Sequence, residues 1–226
     1  MKQVRYSGFE LDHFDSAINF RLYQLTMFKQ YLHDDFLEVG AGKGGLAMIY
    51  KELLRNITLI EPDKILFKLL KKKIKDKNVS IENKSIKNIK KKFNKIIYFD
   101  VLEHIKNDLL EVKTAAKKLN PGGYLIFSVP AHQIFYSDFD KSVGHFKRYN
   151  QKDFKLISEK CDLEIEKIHY YDSIGFLFLM INKIFSLGSR NLKLKISLWN
   201  LLIPISKIID FLTFYKIGKS LICIFK

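Results

Sequence analysis

The stretch Glu38-Val39-Gly40-Ala41-Gly42-Lys43-Gly44 joins a short apolar run to a segment with helical character. Residues 35–39 predict a strand and residues 44–54 predict a helix, so the glycines occupy a tight turn between the two. A backbone without side chains approaches a ligand closely, and the N-terminus of a helix favours negative charge. This stretch therefore predicts a ligand-binding loop that opens a β-α-β unit.

The rest of the chain continues the alternation of strand and helix. The apolar positions Phe14, Ile18, Leu22, Leu25 and Phe28 predict one buried stripe on a helix over residues 11–31. After the Pro62-Asp63 helix start, the next buried stripe is predicted at Ile65, Leu69, Leu70 and Ile74. Further strands are predicted at residues 56–60, 78–82, 95–99 and 124–129, with helices at 107–119 and 152–160. Five strands alternating with helices indicate an α/β fold with a parallel, doubly wound sheet.

The C-terminal third has a different pattern. Strands are predicted at residues 163–170 and 218–225, and between them residues 174–187 and 196–212 are apolar with helical spacing. Polar residues and a proline interrupt both apolar stretches, so neither has the length of a clean membrane span. We expect one domain over residues 1–226, with an N-terminal helical cap at 1–33 and an apolar helical insertion at 172–216.

The charge and the cysteine content of the chain indicate which partners and which cellular compartment to expect. The 226 residues carry a formal charge of +15, mostly from lysine. Nucleic-acid readers usually rely on arginine, so we expect no specific nucleic-acid partner, whereas a membrane surface stays a candidate. The two cysteines lack metal-ligand spacing, and the N-terminus lacks an export pattern, so we expect a cytoplasmic protein. Candidate partners are the inner face of a membrane and a second copy of the chain.

Two cofactors fit the glycine loop when it is taken alone. The spacing Gly40-x-Gly42-x-x-Gly45 also satisfies the fingerprint of dinucleotide-binding proteins. Glu38, however, precedes the first glycine by two residues, where its carboxylate can meet the ammonium of a bound amino acid. S-adenosylmethionine carries such an ammonium and NAD does not. Glu61 ends the second strand about twenty residues later, where an acid binds ribose hydroxyls in either case.

Three segments resemble successive motifs of class I S-adenosylmethionine-dependent methyltransferases. They are the stretch from Glu38 to Gly44, Asp100-Val101-Leu102-Glu103-His104-Ile105 after the fourth strand, and Leu119-Asn120-Pro121-Gly122-Gly123 before the fifth. The resemblance implies a Rossmann-like seven-stranded sheet of order 3-2-1-4-5-7-6 with an antiparallel last strand. It also implies S-adenosylmethionine as methyl donor and S-adenosylhomocysteine as product. The implied cofactor-binding residues are Glu38, Gly40, Ala41, Gly42, Gly44, Glu61, Pro62, Ser85, Ile86, Asp100 and Val101.

The adenine side departs from this family pattern. Such proteins usually carry an aspartate after the third strand, and Ser85-Ile86 stands near that place here. Ser85 is equally explained as the N-cap of the next helix.

A second resemblance concerns the acceptor. Val129-Pro130-Ala131-His132, then Asp140, then Gly144-His145-Phe146-Lys147-Arg148-Tyr149 are similar to a subgroup associated with surface-polysaccharide and lipid-linked sugar assembly. We expect residues 130–149 to fold over the substrate, with basic side chains that attract an anionic group. The candidate substrate-binding residues are His132, Asp140, Lys147, Arg148 and Tyr149. Arg148 and Tyr149 could instead serve the structure of the loop, by tying a carbonyl and by packing.

The candidate catalytic residues are two histidines. His104 and His145 are candidate general bases, because the usual pKa of histidine suits removal of a proton from a hydroxyl. Glu103 either borders the substrate or interacts with the dipole of the helix that begins near Asn107. The set His132, Asp138, Asp140 and His145 fits no recognised metal-ligand spacing, so no metal is expected.

Several alternatives stay open on sequence alone. The acceptor could be methylated on oxygen or on nitrogen. The chain could instead be an NAD(P)-dependent oxidoreductase, or a basic adaptor on membranes or RNA. The apolar insertion could meet a bilayer, a partner subunit or the core.

Overall fold

The computed structural model describes residues 16–32, 35–185 and 191–226. Seven strands form one sheet of order β3-β2-β1-β4-β5-β7-β6. Strands β1 to β5 are parallel, and β7 runs antiparallel to both of its neighbours. The predicted fold class and strand order are therefore confirmed. The strands are β1 (Phe36–Val39), β2 (Ile57–Ile60), β3 (Val79–Glu82), β4 (Phe93–Phe99), β5 (Leu119–Pro130), β6 (Ile165–Tyr171) and β7 (Ser220–Phe225).

Helices cover both faces of this sheet. They are α1 (Ile18–Phe28), α2 (Ala47–Tyr50), α3 (Lys64–Lys73), α4 (Asp108–Ala116), α5 (Asp138–Ser142), α6 (Gln151–Cys161), α7 (Ser173–Ile184), α8 (Leu192–Leu201) and α9 (Ile203–Leu212). Short 3-10 turns, among them Leu102–His104 and Gln133–Phe135, connect several elements. The predicted turn at residues 120–123 lies within β5, opposite an irregularity between Phe93 and Lys95.

Successive residues of each strand enter opposite halves of the core. Phe36 packs with α1 and α2 on one face, whereas Leu37 packs on the face that α4 and α6 cover. In β7, Ile222 and Ile224 continue the first half, and Cys223 belongs to the second. Each large apolar side chain removed from water in this way contributes about 1.5–3 kcal/mol. Because both faces are buried, the sheet presents only its edges and the ends of its strands.

The buried stripe predicted for α1 is partly wrong. Leu25 and Phe28 are buried, but Ile18 and Leu22 are 50% and 44% exposed. The helix is rotated so that Arg21 and Gln24 turn inward, where they meet polar groups at the ends of β4 to β6. Hydrogen bonds and an ion pair compensate the burial of these polar side chains. Phe14, also predicted in the stripe, lies outside the described residues.

The stripe predicted for α3 is also partly wrong. Ile65 and Leu69 are 57% and 42% exposed, and Leu66 is buried with Leu70 and Ile74. Leu70 and Ile74 pass close beneath the glycine loop, since a Cβ placed on Gly44 would lie 2.7 and 2.8 Å from them. That close approach fixes the rotation of the helix.

Three helices connect β6 to β7, where two apolar helical stretches were predicted. Residues 196–212 form α8 and α9 rather than one helix, because Pro204 cannot donate a backbone hydrogen bond and stands in the first turn of α9. Asp172 anchors the group from the start of α7. Its fully buried carboxylate accepts hydrogen bonds from Trp199 Nε1 in α8 (2.8 Å) and from Ser206 Oγ in α9 (3.0 Å).

Asp210 of α9 makes a second anchor. It accepts from the Asp172 and Ser173 backbone amides and from the Tyr23 hydroxyl of α1 at 2.5 Å. The helices between β6 and β7 are thereby connected through α1 to the centre of the sheet. Within residues 16–32, 35–185 and 191–226, no helix is long and apolar enough to cross a lipid bilayer.

Candidate active site

The glycine loop, residues 40–44, turns sharply where β1 ends. Gly40 and Gly42 have φ angles of 71° and 55°, a region that side chains with a Cβ avoid. A Cβ on Gly40 would lie 2.7 Å from Cγ2 of Val101, so the loop packs directly against the segment that follows β4. A Cβ on Gly42 would meet no atom within 4 Å. The loop is therefore fixed on one side and open on the other.

Glu61 stands beside this loop at the carboxyl end of β2. Its carboxylate accepts hydrogen bonds from Gly42 N at 2.9 Å and from Asp63 N at 2.8 Å. Burial raises the pKa of Glu61 to about 7, against the lowering effect of these two bonds. Pro62 follows Glu61, and Asp63 caps α3. The acid predicted to bind ribose thus lies next to the predicted cofactor loop and titrates near neutral pH.

Glu38 is buried one strand away. Its carboxylate is 4% exposed and accepts a hydrogen bond from the Tyr50 hydroxyl of α2. Burial and the neighbouring Glu38 raise the pKa of Tyr50 well above its ordinary value, so the phenol stays protonated and donates. The structure places Glu38 immediately behind the glycine loop, with Tyr50 holding its orientation.

The predicted adenine side begins after β3. Ser85 precedes the 3-10 turn Ile86–Asn88 and its hydroxyl contacts the Asn88 side chain at 3.3 Å. Ile86 is fully buried beneath that turn. Asn83 was not predicted, although its side-chain amide donates to the backbone oxygens of Glu61 (2.7 Å) and Pro62 (3.1 Å). It thus ties the end of β3 to the segment that carries Glu61.

Asp100 directly follows β4, with a φ of 55°. Its carboxylate pairs with Arg21 Nη1 at 3.0 Å. Gln24, one helical turn further on, donates to Ser128 and Tyr171 at 3.2 Å each. The N-terminal helix therefore supplies polar side chains to the carboxyl ends of the central strands.

A cluster of Glu103, His104 and His145 lies just beyond Asp100. One ligand-type atom of each side chain lies within 4.8 Å of those of the other two. The His145 Nε2 atom is 3.9 Å from Glu103 Oε1, and the two imidazole centres are 4.6 Å apart. We call these three residues the Glu-His-His cluster. It brings together both predicted catalytic histidines.

Burial is the main cause of the shifted pKa values of Glu103 and His104. It raises the pKa of Glu103 well above the ordinary range, with the charge of Asp100 as a further cause. Burial and the neighbouring His145 lower the pKa of His104 to about 4, so this imidazole is neutral at physiological pH. Asn107 caps α4, and the acidic residues of its first turn are Asp108 and Glu111, whereas Glu103 lies in the preceding 3-10 turn; its interaction with the helix dipole stays a prediction.

Asp140 organises the segment at residues 130–149. It is fully buried and accepts from the backbone amide and the hydroxyl of Ser137. It also accepts from Arg148 Nε at 2.9 Å and pairs with His145 Nδ1 at 2.8 Å. Burial alone would raise the pKa of Asp140, but the hydrogen bond of His145 and the charge of Arg148 hold it below its ordinary value. Asp140 and Arg148 thus hold His145 in place.

The remaining predicted substrate residues, Lys147, Tyr149 and His132, have partners within the fold. Lys147 pairs with Asp108 at 2.6 Å and lies over the Tyr149 ring. Tyr149 is fully buried, and its hydroxyl donates to Asp108 at 3.0 Å. His132 contacts the Gly218 carbonyl through Nε2 at 2.9 Å and stacks on Tyr170. These three side chains make contacts within the fold, and their predicted role toward substrate stays a prediction.

Sequence reasoning missed Arg21, Gln24 and Asn83. A polar residue on the inner face of a predicted amphipathic helix was the available signal for Arg21 and Gln24. Position immediately after a strand was the signal for Asn83, since ligands bind at the carboxyl ends of parallel strands.

A family model described as a methyltransferase domain matches residues 11–170, and the chain belongs to this family. Its predicted class, an enzyme that transfers methyl groups, is confirmed, and the dinucleotide interpretation of the glycine loop is not. No curated protein sequence matches the chain.

Solved structures share the fold at low identity. An S-adenosylmethionine-dependent methyltransferase of Clostridium acetobutylicum is 13% identical with a TM-score of 0.60, over 96% of this chain and 94% of that one. A methyltransferase of Thermotoga maritima, titled a possible histamine N-methyltransferase, is 15% identical with a TM-score of 0.62, over 96% and 91%. Phosphoethanolamine N-methyltransferase 2 of Haemonchus contortus, bound to S-adenosylmethionine, is 15% identical with a TM-score of 0.63, over 92% and 52%.

The packing of Gly40 on Val101 can be tested against a glycine of matched backbone. Gly122 has a φ of 72°, close to that of Gly40, but a Cβ there would meet nothing within 4 Å. Both Gly40→Ala and Gly122→Ala should cost about 1–2 kcal/mol for the left-handed conformation. Gly40→Ala should cost about 1–3 kcal/mol more for the overlap with Val101. Urea denaturation measures the free energy of unfolding of both variants.

Adding Val101→Ala to Gly40→Ala should recover part of the extra loss, and adding it to Gly122→Ala should recover none. Equal stabilities of the two single variants would contradict the close packing of loop and β4 turn.

Proposed function

We propose that this protein transfers the methyl group of S-adenosylmethionine to a hydroxyl of a small, saccharide-containing acceptor. The observation that carries the proposal is the contact of the glycine loop with Val101. This contact sets the donor loop beside the turn Leu102–His104, which contributes two members of the Glu-His-His cluster. Donor and acceptor groups are thereby adjacent at the carboxyl ends of β1 and β4, where open α/β sheets bind ligands.

S-adenosylmethionine is the donor, and the residues around the glycine loop divide its recognition. Glu61 accepts hydrogen bonds from the ribose hydroxyls, and the open side of Gly42 admits the ligand to the loop. Glu38, oriented by Tyr50, attracts the ammonium of the methionine moiety. The adenine lies toward Ser85 and Ile86, and Asp100 with Val101 borders the sulfonium.

Methyl transfer is an in-line displacement. The acceptor oxygen forms a bond to the methyl carbon while the carbon–sulfur bond breaks, and its electron pair returns to sulfur to give S-adenosylhomocysteine. The leaving group needs no proton, so alignment and electrostatics supply much of the rate.

A hydroxyl acceptor must lose its proton, and this requirement favours oxygen methylation at a site with two imidazoles. His145 is the better oriented of the two predicted bases, because Asp140 holds its Nδ1 and its Nε2 faces the cluster. His104 is neutral but weakly basic, since its pKa is about 4.

The subgroup resemblance and the surface of α7 to α9 support a lipid-linked acceptor. Apolar side chains cover this surface, which we call the apolar face: Leu177, Ile184, Phe185, Leu194, Leu198, Leu201, Ile208, Phe211, Leu212 and Phe214 are each at least 46% exposed. Lys193, Lys207 and Lys216 are exposed among them. Asp210 is the single acidic residue of positions 173–217, and it is fully buried.

An anionic lipid surface matches this combination of apolar area and uncompensated lysine. The apolar face is also connected to the site, because Asp210 of α9 bonds to Tyr23 of the helix that carries Arg21 and Gln24. Binding at the cytoplasmic face of a membrane would bring a lipid-linked saccharide to the acceptor side.

Vesicle binding tests this part of the proposal. The double variant Ile208→Ser/Phe211→Ser should bind phosphatidylglycerol-containing vesicles at least about tenfold more weakly than wild type, because it buries less apolar surface in the membrane. The matched control is Leu110→Ser/Leu156→Ser, which changes side chains 59% and 48% exposed on the opposite face of the sheet. That control should bind as wild type does. Membrane binding would be contradicted if wild-type protein did not bind the vesicles and instead formed a dimer through the apolar face.

Calorimetric binding of S-adenosylmethionine tests the donor site. Because Glu61 has a pKa of about 7 and must be ionised to accept two hydroxyl hydrogen bonds, its contribution is small at pH 6 and nearly complete at pH 8. The ratio of wild-type to Glu61→Gln affinity should rise roughly tenfold between pH 6 and pH 8. Taking the ratio removes the titration of the ligand itself.

Glu82→Gln, at the end of the neighbouring strand β3, is the matched control and should bind as wild type does at each pH. A ratio that stays constant would remove the role of Glu61. Folded protein that does not bind S-adenosylmethionine at either pH would remove the proposed function.

A further inference from the structure

Glu103 is a buried acid whose carboxyl group has no hydrogen-bond partner in the described part of the molecule. It is 1% exposed, and neither carboxylate oxygen has a hydrogen-bond partner among the described residues. Other buried acids are satisfied: Asp140 accepts four hydrogen bonds and Asp172 accepts from three side chains or amides. A buried carboxylate without a partner is costly, so such a group points to something that binds there.

The atoms opposite Glu103 are imidazole nitrogens. The His145 Nε2 atom is 3.9 Å from Glu103 Oε1, and one nitrogen of His104 completes a set within 4.8 Å. Two ligands on one first-row transition ion, each at about 2.0–2.2 Å from it, lie roughly 3–4 Å apart. Small side-chain rotations therefore bring all three donor atoms to one ion.

Outer contacts fix the two imidazoles in the way that metal ligands require. His145 Nδ1 is held by the Asp140 carboxylate at 2.8 Å, and Arg148 holds Asp140 in turn. His104 has a hydrogen bond with the backbone of Gly144, which lies in the same loop. Metal-binding histidines commonly use their second nitrogen for a carboxylate or a backbone group, which sets the tautomer and the ring orientation.

The backbone also holds the three side chains together. Glu103 and His104 lie in one 3-10 turn, and the Glu103 carbonyl accepts from Phe146 N at 2.7 Å. This bond connects the turn after β4 to the residue that follows His145. The cluster thus does not depend on the chance meeting of mobile side chains.

We propose that Glu103, His104 and His145 form a binding site for a divalent first-row transition cation. One carboxylate and two imidazoles suit ions such as Mn²⁺, Fe²⁺, Co²⁺ or Zn²⁺, whereas Mg²⁺ and Ca²⁺ prefer all-oxygen sites. Three protein ligands leave coordination positions open, as in catalytic metal sites.

The set for which no metal was expected, His132, Asp138, Asp140 and His145, shares only His145 with this cluster. His132 contacts Gly218, and Asp138 is exposed and pairs with Lys141, so neither reaches the cluster. Glu103 was absent from that set.

The open positions give the ion a use in the proposed reaction. An ion held here would bind the acceptor oxygen beside the donor and lower the pKa of its hydroxyl, so that its proton could pass to water and neither histidine would be needed as base. This use rests on the proposed function, whereas binding of the ion does not.

Titration of the tag-free protein with Co²⁺ alone, in the absence of S-adenosylmethionine, tests the site. Wild type should bind one equivalent, with visible absorption bands of Co²⁺ bound by nitrogen, and should melt at a higher temperature with the ion than without it. Glu103→Gln keeps the shape of the side chain and removes the charge. It should weaken binding more than about 100-fold, the upper range for losing an outer-shell partner of a ligand.

Without the ion, Glu103→Gln should be at least as stable as wild type, because it removes an unpartnered buried carboxylate. His169→Gln is the matched control: His169 is a half-buried histidine of β6, also with a pKa of about 4, and lies outside the cluster. It should bind Co²⁺ as wild type does. Asp140→Asn should bind about 10–100-fold more weakly through the loss of His145 orientation.

Folded wild type without a Co²⁺ spectrum, or equal affinity in wild type and Glu103→Gln, would overturn the proposal. Binding of S-adenosylmethionine by the same sample separates the two claims. Donor binding without Co²⁺ binding would leave the methyltransferase function and remove only the cation site. Co²⁺ binding without donor binding would leave the cation site and remove the methyltransferase function.

Discussion

The close approach of Gly40 to Val101 is the constraint on which the rest of the site depends. It requires a residue without a side chain at the end of β1, and it holds the turn after β4 against the glycine loop. Since β1 and β4 are neighbours in a parallel sheet, their carboxyl ends supply both halves of the site from one edge. The position of the Glu-His-His cluster beside the glycine loop follows from this contact.

Buried charge is handled in two ways around this edge. Asp140 and Asp172 are fully buried and each accepts several hydrogen bonds, so their burial fixes a loop and a group of helices respectively. Glu103 is equally buried but lacks such partners among the described residues. The first arrangement stabilises structure, and the second keeps a carboxylate ready for a ligand. That difference distinguishes the supporting acids Asp140 and Asp172 from Glu103, to which we assign a ligand.

Local pattern predicted the strands and the glycine loop well, because each strand is a short apolar run and the loop has a chemical reason for every glycine. The inward faces of α1 and α3 were less predictable. Ile18 and Ile65 are apolar at helical spacing, yet Arg21 and Leu66 are buried instead. The rotation of a helix is set by what it meets across space, here Asp100 for α1 and the glycine loop for α3. No local pattern contains that information.

The sequence singled out the members of the Glu-His-His cluster but not their grouping. His104 and His145 were singled out from the sequence, but their meeting with Glu103 depends on how residues 130–149 fold back over the turn after β4. Arg148 illustrates the limit: its charge suggested an anionic substrate, and the structure pairs it with Asp140. The folded form of the loop, which a local pattern does not contain, decides which basic residues are available to a ligand.

A crystal structure of the protein with S-adenosylhomocysteine tests the central claim most directly. The account predicts both ribose hydroxyls within hydrogen-bond distance of the Glu61 carboxylate, and the sulfur facing the turn that carries Glu103 and His104. A product molecule bound away from the glycine loop, or one whose sulfur faces away from that turn, would contradict it.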